Sequence, residues 1–109
     1  MLEQRYRYTD ADLRRILEQA SAYDCACPAQ LCREIGNQRR LHAYQGRCVN
    51  RSDTDRAAHE RIAAAAERCH AELEEALTDV LRLEGWDMER LDMPANLKKR
   101  LLAGIEPTG

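Results

Sequence analysis

From Ile62 to Leu83 the apolar residues step along the chain by four and three: Ile62, Ala66, Cys69, Leu73, Ala76, Val80, Leu83. That spacing puts them on one face of an α-helix and fits no strand period. It predicts a long helix with a heptad-like seam turned toward a partner helix. The preceding stretch "VNRSDTD" is rich in capping residues, so Ser52, Asp53 or Thr54 should start the helix. Gly85 stands where a C-terminal glycine would stop it. The expected span is about 53–84.

A helix with an apolar face needs other elements against that face. Leu13, Ile16, Leu17 and Ala20 recur at helical spacing, and Thr9 with Asp12 has the spacing of a capping box. This predicts a helix over about 10–23. Pro28 suits a first helical position, because its missing N–H would be unpaired there anyway. Cys27 then falls at the N-cap of a second helix, about 28–48, marked by Leu31, Ile35 and Leu41 and weakened by Gly36 and Gly46. Pro94 opens a short last helix, about 94–103, and the tail 105–109 should fray. Trp86 reads as a core anchor. Phe is absent and aromatics make up 5%, a composition that favours helices over sheets. The expected architecture is all-α and a single domain over 1–109. It is a small bundle of about four helices around a central antiparallel hairpin.

Charge excludes little. Lys and Arg number 17 against 19 Asp and Glu, a formal net of −2, so no global field calls for nucleic acid. The polar start "MLEQRYRYTD" lacks the apolar core of a signal peptide, and no run reaches the roughly 20 apolar residues of a membrane span. A cytoplasmic location with no membrane partner is the expectation, and there thiols stay reduced.

The chemistry concentrates in "YDCACPAQLC", which holds Cys25, Cys27 and Cys32 of five cysteines. An odd count argues against a complete disulfide framework. With the hairpin turn centred near Arg51, Cys32 and Cys69 each lie about 28 Å from it and come level. Cys25, Cys27, Cys32 and Cys69 would then converge, with His70 as a substitute ligand. Four soft sulfur ligands suit zinc or an iron–sulfur cluster. A helix start should also lower the pKa of Cys27. A metal site, in a sensor or accessory protein, is the first expectation. A metal-free thiol redox switch in the same group is the second. Cys48 falls outside the group.

Two further constellations stand out. His42 and His59 also come level across the hairpin, with Glu60 beside them, as a secondary polar layer. Arg39, Arg40 and Arg47 belong to a basic stretch that could meet a protein partner, with nucleic acid less favoured because aromatic stacking residues are scarce. Four consecutive alanines in "RIAAAAERC" would let helices approach closely and suggest a homodimer through the third helix. No phosphate loop or nucleophile elbow is visible, so nothing speaks for an enzyme. An interaction module with packed cysteines is the third expectation.

Overall fold

The computed structural model describes residues 5–23 and 25–98. Three long helices dominate: α1, Asp10–Ala22; α2, Ala26–Arg47; α3, Asp53–Leu83. A loop follows α3, and one further helical turn covers 95–98. The remainder of the expected last helix and the tail lie outside the described residues. No strand occurs among the described residues. The one β-bridge joins Asp87 and Asp92 across the loop.

Local chemistry sets the helix ends. Thr9 accepts from the Asp12 N–H while the Asp12 carboxylate accepts from the Thr9 N–H, a complete capping box. Ser52 caps α3 by accepting from the Asp55 N–H. Gly85 ends α3 at φ +81°, a backbone conformation that L side chains rarely adopt. α2 departs from expectation. Its N-cap is Cys25, so Cys27 is its second residue and Pro28 its third. Proline is tolerated throughout the first turn, since none of those N–H groups has an intrahelical partner. The sequence therefore does not distinguish the two starts.

α2 and α3 form the antiparallel hairpin, and α1 packs on α2. α1 meets α3 only through side chains, Leu13, Ile16 and Ala20 sharing one core cluster with Leu77 and Leu81. The core lies at the end where all three helices overlap. Ile16, Ile35, Leu77 and Leu81 are fully buried, joined by Leu13, Cys32, Trp86 and Leu97. Burying each such Leu or Ile contributes about 1.5–3 kcal/mol. The loop after α3 is clipped to α1: Arg15 donates to the Arg90 carbonyl and pairs with Asp92, and Gln19 Nε2 donates to the Leu91 carbonyl at 2.6 Å. Among the described residues, the hairpin continues alone at the other end. The radius of gyration is 17.5 Å and the extents are 63 × 31 × 19 Å. A compact chain of this size would have a radius near 13 Å.

The seam of α3 differs from expectation by one residue. Its buried positions are Ala63, Ala66, His70, Glu74, Leu77, Thr78 and Leu81. Only Ala66 belongs to the expected stripe. Ile62, Cys69 and Leu83 are exposed, and Leu73, Ala76 and Val80 are half-buried. The reason is polar. Three hydrogen-bonding side chains at i, i+4 and i+8 are turned inward, and the helix rotates to accommodate them.

Candidate functional site

Arg39 lies at the middle of the hairpin and is only 7% exposed. Its guanidinium donates from Nε to His70 Nε2 at 3.0 Å and from Nη1 to Asp10 Oδ1 at 2.7 Å. From Nη2 it donates to the Tyr8 carbonyl and reaches Glu74 Oε2 at 3.4 Å. It also stacks on the Tyr6 ring, 3.7 Å from the centroid. Glu74 Oε2 accepts from the backbone N–H groups of Arg7 and Tyr8 at 2.7 and 3.0 Å. Thr78 bonds the Tyr8 hydroxyl and accepts from Arg7 Nη1. The result is a buried clamp. It fastens residues 6–8 onto one flank of α3 and ties α2 to α3.

The clamp defines a protonation state. Arg39 donates to His70 Nε2, so that nitrogen carries the lone pair and the ring proton sits on Nδ1, facing Glu74 Oε1 at 3.5 Å. His70 is thus neutral. Burial holds its pKa below the ordinary value; Glu74 opposes this, and Arg39 and His42 add to it. A buried charge network of this kind is costly to break: removing one partner leaves the others unpaired, typically at about 3–5 kcal/mol.

The same contacts correct the register of the hairpin. Arg39 meets His70, and His42 Nε2 meets Glu67 Oε1 at 2.9 Å. Continued along both helices, this register brings Cys32 level with Leu77, not Cys69. Cys69 sits eight residues nearer the turn, about 12 Å along the axis. The connection 48–52 is extended, so α3 begins well beyond the end of α2. A tight turn centred on Arg51 would have given the expected match.

The cysteines accordingly separate. Cys25 and Cys32 are buried, Cys27 and Cys69 are exposed, and Cys48 is half-buried. Burial, with the Glu84 carboxylate 3.7 Å away, pushes Cys25 up to about 11. Burial alone pushes Cys32 up to about 12, against the pull of Arg33 and Arg39. These are packed thiols, not thiolates. Among the described residues, no group of three or more His, Cys, Asp or Glu is placed to hold a metal ion. His70, expected as a substitute ligand, has both ring nitrogens engaged in the clamp.

The secondary polar layer also divides. His42 is buried against Glu67. His59 bonds Asn50 Oδ1 at 2.6 Å in the turn region, and Glu60 is exposed. His59 and Glu60 line an open groove of about 530 Å³ with Gln45, Cys48, Asn50 and Arg56.

Of the three arginines expected at a partner surface, Arg39 is withdrawn into the clamp, whereas Arg40 and Arg47 are exposed. They share a border with Arg33, each seven residues from the next. Beside them on the outer face of α2 lie Leu41 and Tyr44, 43% and 55% exposed, and Val49 follows at 72%. Glu74, Thr78, Tyr8 and Asp10 were not singled out from the sequence. The signal was there in the spacing of His70, Glu74 and Thr78, a polar row embedded between the apolar positions Ala66, Leu77 and Leu81.

The fold thus defines an all-α protein built on an extended helical hairpin with an internal charged clamp. No family model, no curated protein and no solved structure matches the chain.

Proposed function

We propose that this protein is an interaction module: a stiffened helical hairpin whose outer α2 face docks an acidic partner protein. The carrying observation is the outer face of α2. Leu41 and Tyr44 stand exposed there at i, i+3, and Arg33, Arg40 and Arg47 form a cationic border at heptad spacing. An acidic amphipathic helix would bury its apolar side on Leu41 and Tyr44 and pair its carboxylates with the arginines. Tyr and Arg are the side chains most often found to anchor such contacts. The clamp supports this reading, since it fixes the inner end of this face, at Arg39, against α3. Burial, which raises the thiol pKa values of Cys25 and Cys32, supports packed side chains rather than nucleophiles at those two positions.

Photo-cross-linking from position 44 in cells, read by mass spectrometry, tests the proposal. Capture of an acidic protein should be lost in Arg40→Glu/Arg47→Glu and kept in Cys25→Ser/Cys27→Ser. Capture that survives the charge reversals, or that requires Cys25 and Cys27 with bound zinc or iron, would overturn it. Captured nucleic acid, released steeply by salt, would also overturn it in favour of a nucleic-acid binder.

A further inference from the structure

The expected seam of α3 is real, although the core uses only its inner edge, Ala66 and Leu73. Ile62, Cys69, Leu73, Ala76 and Val80 form an apolar row along the flank of α3 turned away from residues 6–8. Thr78 faces the clamp. Val80, two residues on, lies about 200° further round. α1 packs on α2; within the row Leu73 also touches the core, and Ala76 and Val80 are half-buried. Ile62 is 39% exposed, and Leu83, at the end of the row, is 86% exposed.

We infer that this flank pairs with the same flank of a second copy, antiparallel, about a twofold axis level with Ala71. This surface is separate from the α2 face and does not rest on the reading given to that face. Charge distribution carries the choice of occupant and orientation. Along the solvent side of the row, Arg61 and Arg68 lie toward the start of α3, and Glu72, Glu75 and Asp79 lie toward its end. All five are exposed, and none is in an ion pair among the described residues. In a parallel pair each charge meets its own copy and repels it. In the antiparallel pair Arg61 comes level with Asp79 of the second copy, and Arg68 with Glu72 and Glu75. The apolar layers close in the register set by that axis, Ile62 on Val80 and Cys69 on Leu73, with small Ala65 one residue off level from Ala76. Rim charges of this kind set partner and orientation in helix pairs, while the apolar row supplies the attraction. Such a dimer leaves both α2 faces open and makes the module bivalent.

Sedimentation equilibrium of the full chain at low ionic strength tests the pairing. The expected result is a reversible monomer–dimer equilibrium, abolished by Ile62→Glu and weakened about tenfold or more by Arg61→Glu. Asp79→Arg added to Arg61→Glu should restore the dimer to within about threefold of the parent. The two positions are about 27 Å apart on one helix, so rescue cannot arise within a chain. Both are exposed, and circular dichroism should give each variant the parent's helix content. A chain that stays monomeric at the highest concentrations reached would overturn the inference. So would a dimer indifferent to Ile62→Glu or not rescued by the charge exchange.

Discussion

His70 illustrates how one residue acquires its role. On the sequence it is a neighbour of Cys69 with metal-ligand chemistry. In the fold it is 1% exposed, with Nε2 accepting from Arg39 and Nδ1 facing Glu74 Oε1 at 3.5 Å. Its neutral form is the one that accepts from Arg39. Protonation would set a second N–H against the arginine, with only Glu74 to compensate. His42, itself facing Glu67, adds to the cost. Because burial lowers the folded pKa below 6.5, the unfolded chain takes up this proton first. Below about pH 6.5 unfolding is therefore favoured, and stability falls until native His70 itself protonates. Urea titrations across that range should show a decline, and His70→Gln should flatten it. The cysteines give a second expectation at this scale. A thiol-reactive maleimide, followed by mass spectrometry, should modify Cys27 and Cys69 at once. Cys25 and Cys32 should react only as the protein opens, because they are buried and held as thiols. Equal labelling of all five would contradict the packed arrangement.

At the scale of elements, helix existence and limits were largely legible. The capping box of Thr9 and Asp12, the Ser52 cap and the Gly85 stop are local chemistry, and local chemistry is written in neighbouring residues. Gly85 allows a direct measurement. A Cβ there would meet only Pro94 Cγ, at 3.8 Å, so space is adequate and the cost of Gly85→Ala lies in the backbone. At φ +81° that cost should be about 1–2 kcal/mol in thermal or urea unfolding. What was not legible was the rotation of α3. Hydrophobic periodicity selected the face with Ile62, Cys69 and Val80, because periodicity counts apolar residues and assigns polar ones to solvent. Arg39, Arg7 and Tyr8 satisfy the polar row from elements far away in the chain. No local pattern announces such partners.

At the scale of the whole molecule, the three helices overlap at one end only. The far half of the hairpin is a two-helix arm with Leu41, Tyr44, Val49 and Ile62 exposed. Stability should follow this gradient, since local opening is easiest where few apolar contacts are buried. Hydrogen exchange should be slowest around Ile35 and Leu77 and fastest over 41–62 within the helices, with uniform protection counting against the arm. The amino-acid sequence by itself determined the helical class, the hairpin, the ends of α1 and α3 and the anchoring of Trp86. These depend on period, propensity and caps, which act over a few residues. Only the tertiary structure decided which thiols are buried, which histidine pairs with which carboxylate, and which side of α3 faces the core. Those outcomes hang on the register of α2 against α3. That register was set by the extended path of 48–52 and by the reach of Arg39 to His70, Asp10 and Glu74. A displacement of about 12 Å along a helix changes every neighbour, and contacts across such distances are energies of the folded chain, not of its segments.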